Sequence, residues 1–232
     1  MSTNRSVLIA LVLAALLSGF ALLGKRLQAQ SPESGYSAPA PRAPLAPGDI
    51  DTTISRAYVH VDKTGFGHEH GVESLLKSGH LLLGANQNAG ELVFDMTSFK
   101  ADTDEARRYV GLEGSSDAGT RQQVNDNMLG PEVLDVKQYP TAVFKVTSIQ
   151  PIRSHRPNAP QQLQLDGDFT LHGTTNKITV IASPINANGY TRLVGSFSIL
   201  QSDYGIKPFR KALGAVGVAD RLTIWGDLWI AR

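Results

Sequence analysis

The stretch that decides the fold is residues 163–171, LQLDGDFTL, in which apolar and polar side chains alternate. Its three leucines and Phe169 fall on one side of a period-two pattern, and the amide, acidic and hydroxyl side chains fall on the other. This alternation is typical of a β-strand that has one buried face and one face in water. Gly167 interrupts the apolar row, where a residue without a side chain relieves crowding or permits a bend.

The same alternation recurs in residues 222–230, LTIWGDLWI, again with a glycine in the apolar row. Glycine- or asparagine-containing segments at 173–176 and 186–189 predict hairpin connections. Further apolar or alternating runs predict strands at residues 57–61, 72–76, 80–83, 91–95, 142–149, 177–183 and 190–200.

Helix signals are confined to one region between the early and the late strands. Residues 102–111 begin with a threonine or aspartate cap, carry acids before bases, and end at glycine. Residues 116–129 begin with Ser116 as the predicted N-cap and stop before a Gly-Pro pair. Roughly four strands therefore precede a helical excursion, and four or five follow it.

Short antiparallel strands must avoid exposed edges, which favours an all-β barrel or a sandwich. A closed barrel of about eight strands is nearly the smallest that holds one small ligand inside. The alternation by itself does not choose between the two architectures.

Composition and charge exclude several classes of function. The chain has 232 residues, of which 41% are hydrophobic and 19% charged, as in ordinary globular proteins. Lys plus Arg number 22 and Asp plus Glu 21; the first 48 residues hold four of these bases and one acid, which leaves 18 bases and 20 acids beyond them. A body with net charge −2 lacks the basic surface that nucleic-acid binding requires. The absence of cysteine excludes disulfides, cysteine nucleophiles and thiolate metal sites.

The N-terminus predicts transfer across a membrane. Residues 7–23 form an uninterrupted uncharged and mostly apolar run behind Arg5, so residues 1–27 are interpreted as a signal peptide or a membrane anchor. Residues 28–48 contain five of the twelve prolines and are predicted to form an extended linker. Residues 49–232 are then a periplasmic or otherwise extracytoplasmic domain, which the run 7–23 would tether to the membrane if it is retained.

Four segments resemble the YceI-like family. They are FTLHGTTNKITV (169–180), FSILQSDYGIKPF (197–209), LDVKQYPTAVFKV (134–146) and VGVADRLTIWGDLWI (216–230), and together they cover most of residues 91–232. The resemblance implies a lipocalin-like antiparallel barrel of a bacterial periplasmic protein. It also implies a long interior pocket for an isoprenoid or fatty amphiphile, with no other cofactor.

The candidate ligand cavity consists of side chains on the predicted strands and just after them. If the barrel is open inside, its aromatic residues line an apolar cavity, and if it is closed they are simply core. The resemblance favours the cavity, and the predicted lining residues are Phe94, Phe144, Phe169, Leu171, Phe197, Ile199 and Tyr204.

A histidine pair supports an alternative function. His68 and His70 are two residues apart, so on a strand both imidazoles would project to one face, as Zn, Cu or Ni sites use them. His60 and His80 are close enough in sequence to add ligands. The alternative is a metal-binding or redox-linked barrel; the structural interpretation is that the pair makes polar hydrogen bonds at a barrel rim or in a loop.

No sequence signature of an enzyme is present. The chain lacks a phosphate-binding glycine loop, a dinucleotide fingerprint, a nucleophile elbow and a zinc-protease helix. The sequence thus favours a binding protein that is not an enzyme. Three hypotheses remain: a carrier of a hydrophobic small molecule, a metal-binding barrel, and a barrel without ligand.

Overall fold

The structure is a computed structural model, and it describes residues 44–153 and 160–232. The predicted signal peptide or anchor (1–27) and most of the predicted linker (28–48) lie outside the described residues. Within the described ranges, no helix combines the length and hydropathy that a membrane crossing requires.

The domain is a closed antiparallel β-barrel, which confirms the predicted fold class. Eight long strands form its wall and two strands of two residues each pair at its margin. The ten strands are Arg56–Gly65 (β1), His70–Leu81 (β2), Gly90–Asp95 (β3), Lys100–Ala101 (β4), Thr141–Ile152 (β5), Gln162–Leu171 (β6), Thr174–Ala187 (β7), Tyr190–Leu200 (β8), Arg210–Lys211 (β9) and Val216–Ala231 (β10).

Closure of the barrel requires the pairing of β1 with β10, two strands that are distant in sequence. The wall follows the order β1-β10-β8-β7-β6-β5-β3-β2, and β2 pairs with β1 to complete the circle. Strands β1 and β10 pair from Arg56 opposite Asp227 to Gly65 opposite Val216. Each long strand thus has a partner on both sides, and the wall leaves no long edge for another chain to extend.

Two details of the predicted strands are wrong. The runs 72–76 and 80–83 belong to the single strand β2, whose irregular register against β3 between Leu76 and Ser78 lets it continue. The hairpin connections are also shorter than predicted: His172-Gly173 joins β6 to β7, and Asn188-Gly189 joins β7 to β8. All four of these residues have positive φ, the geometry of the two-residue turns that match strand twist.

The helical excursion lies between β4 and β5 and consists of helices Asp104–Tyr109 (α1) and Ala118–Leu129 (α2). The N-cap of α2 is Asp117 rather than Ser116, because the Asp117 carboxylate accepts a hydrogen bond from the Thr120 amide. Helix α1 packs outside the barrel against Gly71, where a Cβ would lie 2.9 Å from Ala106 backbone atoms. Helix α2 has no fully buried residue.

The barrel has one plugged end and one mouth. At the plugged end, where β2 and β10 finish, Ile50 is 3% exposed and donates its amide to the Gly79 carbonyl at 3.0 Å. It bridges to Ile230 of β10 on the other side. The mouth is the opposite end, where β1 finishes and β2 begins, and it carries both helices and segment 201–215.

Candidate functional site: an apolar cavity beneath the mouth

The main cavity occupies the mouth half of the barrel and has a volume of about 170 Å³. Its walls come from alternate residues of the strands, such as Val59 and Val61 of β1 and Ile224 of β10. Helix α2 closes one side with Val124 and Met128, which are one helical turn apart and therefore share a face. The cavity is thus almost entirely apolar, as sites for hydrophobic ligands are.

A smaller cavity of about 50 Å³ lies deeper in the barrel. Gly195 and Gly226, which are paired across β8 and β10, both line it. A Cβ on Gly226 would meet Leu228 at 3.7 Å, an ordinary van der Waals distance, whereas one on Gly195 would lie 2.7 Å from Ala182. The wall of the smaller cavity therefore has room for a methyl group at Gly226 but not at Gly195.

An aromatic partition separates the two cavities, since Phe94, Phe169 and Phe197 line both of them. The Phe169 ring lies edge-to-face against Phe197 at 5.7 Å, Phe144 at 6.4 Å and Phe94 at 6.5 Å between centroids. The ring of Tyr204, in the turn after β8, lies 5.7 Å from the same Phe169 ring between centroids. These rings are therefore the side chains that would have to move for one ligand to occupy both cavities.

Three polar side chains interrupt the apolar wall of the main cavity: His70, Asn127 and Gln201. Gln201 is 4% exposed, and its Nε2 donates to the Ala219 carbonyl at 2.8 Å. These groups belong to three different elements at the mouth: the start of β2, helix α2, and the turn after β8. A few polar groups in an otherwise apolar wall are typical of pockets for small hydrophobic molecules.

His70 is held by a buried carboxylate. Its Nδ1 lies 2.7 Å from Oδ2 of Asp102, a residue that is 1% exposed. The Arg107 guanidinium and the Gly71 amide both donate to Oδ1 of Asp102, at 3.1 and 3.2 Å. Burial alone would raise the pKa of Asp102, but the contacts with His70, Arg107 and Gly71 outweigh it and hold that pKa below the ordinary 3.8.

A polar cleft of about 520 Å³ lies outside the main cavity, and His70 lines both. Its walls include Lys63 and residues 112–113, 115–117 and 120. Arg107 also lines it, but its Nε donates to the Gly114 carbonyl at 3.0 Å and its Nη2 to that of Glu113. The guanidinium therefore holds the loop at residues 113–114 in place. The cleft itself is lined by side chains of both charges and by hydroxyl groups.

The structure brings most of the predicted ligand-cavity residues together. Phe94, Phe169, Leu171 and Phe197 line the main cavity, and Phe144 lines the smaller one. Ile199 and Tyr204, which are 6% and 2% exposed, belong to the packed core and line neither cavity. Contact of any of these residues with a ligand stays a prediction.

Sequence reasoning missed the contribution of α2 and the polar groups of the mouth. The spacing of Val124 and Met128 could have indicated an inward face on that helix. No comparable signal marks Asn127 or Gln201, whose positions depend on how the helical excursion crosses the mouth.

The strand expected to carry both histidines begins only at His70, and His68 lies in the connection after β1, although both side chains line the polar cleft. Glycines flank this connection; Gly65 has φ +59°, which turns the chain out of the strand. His60 and His80 approach the carboxylates of Glu69 at 3.3 Å and Asp49 at 2.9 Å, on separate parts of the molecule.

Within residues 44–153 and 160–232, no group of three or more His, Asp or Glu side chains is arranged to hold a metal ion. The metal hypothesis for the pair therefore gains no further ligand from this part of the chain.

The same architecture occurs in solved structures of other proteins. The structure of Burkholderia cenocepacia BcnA shares 17% identity and a TM-score of 0.51, and the alignment covers 79% of this chain and all of that one. A polyisoprenoid binding domain from Saccharophagus degradans, implicated in plant cell wall breakdown, shares 14% identity and a TM-score of 0.52, with coverage of 81% and 100%. At these identities the likeness concerns the fold.

None of the curated proteins searched matches this chain. A family model described as the YceI-like domain matches residues 49–228, well over half of the chain. The chain therefore belongs to the YceI-like family.

Proposed function

We propose that this protein is an extracytoplasmic carrier that sequesters a long apolar chain, an isoprenoid or a fatty amphiphile, inside its barrel. The observation that carries the proposal is the apolar cavity of about 170 Å³, which an aromatic partition separates from a second apolar cavity. Binding of a polyisoprenoid by the Saccharophagus degradans domain of the same fold supports this choice of ligand. The predicted signal peptide or anchor supports the location.

The size of the cavity indicates how a long chain would be accommodated. Pockets for drug-sized ligands usually have about 300–1,000 Å³, so the main cavity alone holds only part of such a chain. Each edge-to-face ring contact in the partition is worth about 0.5–1.5 kcal/mol beyond its buried area. Burial of one methylene contributes about 0.8 kcal/mol, so a few methylenes offset the opening of the partition.

The polar end of the ligand belongs at the mouth. His70, Asn127 and Gln201 are the polar side chains of the main cavity wall, and His70 also faces the polar cleft. A head group lying beside His70 would keep its hydrogen bonds while the chain points towards Phe169. The proposed role is binding rather than catalysis.

Native mass spectrometry of the full chain, produced with export and purified gently, tests the proposal. The protein is then incubated with geranylgeraniol, a defined isoprenoid alcohol, so that a ligand lost during purification does not decide the result. We expect the wild-type protein to carry an adduct that partitions into organic solvent. A correctly folded wild-type protein that retains no isoprenoid after this incubation would contradict the proposal.

Two substitutions localise the binding. Phe197→Asp places a charge on the cavity wall at a partly exposed position, and Phe169→Asp places one in the buried centre of the partition. The matched control is Ile181→Asp, which adds the same charge at a site 38% exposed. We expect the adduct to be lost in the cavity variants and kept in the control. Retention by a folded Phe197→Asp protein would place the ligand elsewhere.

A further inference from the structure

We propose that the mouth of the barrel docks onto a lipid bilayer containing anionic lipids, and that Phe66 and Leu213 insert as apolar tips. This inference goes beyond ligand binding, because it concerns a surface outside the cavity. The surface consists of residues 62–67 and 207–217, here called the rim loops. The docking proposal rests on the proposed carrier function only for what docking would achieve. Docking itself is measured without any ligand.

The two tips are the most exposed large apolar side chains among the described residues. Phe66 is 85% exposed and Leu213 is fully exposed, whereas the others of this kind lie between 38% and 48%. Leu213 has φ +56°, a left-handed conformation that is unfavourable for leucine. A fully exposed leucine held in an unfavourable backbone conformation has no role in core packing, and such outliers mark functional surfaces.

Backbone contacts hold the two rim loops together. The Phe66 amide donates to the Ala215 carbonyl at 2.9 Å, which ties the first rim loop to the second. Gly65 lies so close to the same carbonyl that a Cβ there would come within 2.2 Å of its oxygen. Two apolar side chains at one end of a domain can enter the same membrane interface together.

The charge of the rim loops indicates which kind of membrane surface they would bind. They carry four basic side chains and one acidic, although the chain beyond residue 48 has 18 bases and 20 acids. All four bases are exposed; they are Lys63, Lys207, Arg210 and Lys211. Basic residues around an apolar tip are attracted to anionic head groups while the tip enters the acyl boundary.

The rim loops are continuous with the cavity. Phe209 and Val218 both line it, and the Val218 amide donates to the Phe209 carbonyl at 3.1 Å directly beside the loop that carries Leu213. A barrel docked by this surface would thus present its cavity to the bilayer, from which an apolar chain could pass without crossing water.

Site-specific fluorescence on the full chain tests the proposal, because a chain without cysteine can be labelled at a single introduced thiol. Ala215→Cys carries an environment-sensitive fluorophore beside both tips and leaves them intact, and Leu82→Cys carries it at the plugged end. The vesicles are phosphatidylcholine alone or mixed equally with phosphatidylglycerol. We expect blue-shifted emission, quenched by nitroxide lipids, at position 215 with the mixed vesicles, and no response at position 82.

Paired variants identify the tips as the cause. Phe66→Ser with Leu213→Asn removes both apolar groups, and asparagine tolerates the left-handed conformation, so the loop should keep its shape. We expect this pair to need about tenfold more lipid for a half-maximal response. The matched control, Leu82→Ser with Ile185→Ser, removes two half-exposed apolar side chains elsewhere and should change nothing.

Three results would overturn the proposal: no response at position 215, an equal response at position 82, or a full response after loss of the tips. A rim that binds a protein instead would leave the probe silent in pure lipid. The predicted anchor is present in every variant, so it cannot produce the difference. Failure of docking would leave isoprenoid binding untouched, and a Phe197→Asp protein should still dock.

Discussion

The two ends of the barrel differ in how far their residues are buried. At the plugged end Ile50, Leu81, Leu193 and Ile230 are each at most 3% exposed, and they pack with backbone hydrogen bonds that bind residues 48–51 to β2 and β10. At the mouth, α2 has no fully buried residue and residues 210–215 are all exposed. The outermost layer is thus packed at the plugged end and exposed at the mouth, where burial begins deeper, at residues such as Tyr204 and Ile206.

Backbone conformation follows the same division. Non-glycine residues with positive φ at the plugged end are Asn88 and Asn188, and asparagine tolerates this region. At the mouth, Asp102, Asp135 and His172 are also of types that tolerate it, but Ala212 and Leu213 are not. Among the described residues, the costly backbone conformations are therefore confined to one loop of the mouth, the segment that carries Leu213.

The largest effect should come from damage to the plug. Ile50→Ala removes buried methyl groups from a packed site, and we expect a loss of about 2–5 kcal/mol in the free energy of unfolding. Denaturant titration measures this loss, with Ile54→Ala, at 44% exposed, as the control that should change it by less than about 0.5 kcal/mol. Isoprenoid binding by the folded fraction should be unchanged. An equal effect of both substitutions would refute the plug.

The buried carboxylate of the mouth should come next. Asp102→Asn keeps the shape and tolerates φ +56°, but it removes the charge that pairs with His70 and Arg107, at a cost of about 3 kcal/mol near neutral pH. Because the folded state lowers the pKa of Asp102 below 3.8, this contribution is complete above that value and is lost as pH falls through the folded-state pKa. Unfolding curves from pH 7 to pH 2 should therefore converge for the two proteins. A constant gap over that range would contradict the assignment.

A smaller effect should follow from filling the deep cavity. Gly226→Val adds a side chain to the wall of the smaller cavity beyond the aromatic partition, where a Cβ would meet Leu228 at an ordinary contact distance of 3.7 Å. We expect the longest isoprenoid alcohols to lose about tenfold in affinity, the equivalent of two buried methylenes. Short ones should bind as before, as measured by native mass spectrometry with isoprenoid alcohols of increasing length. Gly226→Ala provides the graded control, and equal losses for all chain lengths would mean that ligands do not pass the partition.

The smallest effect should come from the helix over the mouth. Asp117→Ala removes the N-cap of α2, whose pKa the Thr120 hydroxyl and amide hold below its ordinary value. Amide hydrogen exchange in residues 118–129 should become about fivefold faster, while exchange in β10 stays unchanged. Asp117→Asn, which caps nearly as well, is the matched control. Faster exchange throughout the barrel would show that α2 is part of the core rather than a separate cover.

Much of the fold could be predicted from local patterns. The alternation in residues 163–171 and 222–230 identified strands whose inward rows are buried or half-buried in the barrel. It could not establish closure, because the pairing of β1 with β10 joins segments about 160 residues apart and depends on the whole chain. The motifs shared with the YceI-like family supplied that information.

The cavity was less predictable than the strands. Inward orientation alone placed Phe169 and Ile199 in the same category, although the cavity lies beside the first and not the second. Whether an inward side chain meets space or another side chain depends on what packs opposite it, and Tyr204 fills part of that interior. The pairing of His70 with Asp102 spans 32 positions, so no local spacing could reveal it.

The seam between β1 and β10 also determines how the molecule must fold. Sheets dominated by distant pairings form slowly, because loop-closure entropy is lost before their contacts stabilise them. Until β10 is in place, β1 and β8 each expose an edge and the apolar interior faces water. The unfinished domain therefore exposes an apolar surface that can aggregate. Docking of β10 completes the wall of the barrel and buries that surface.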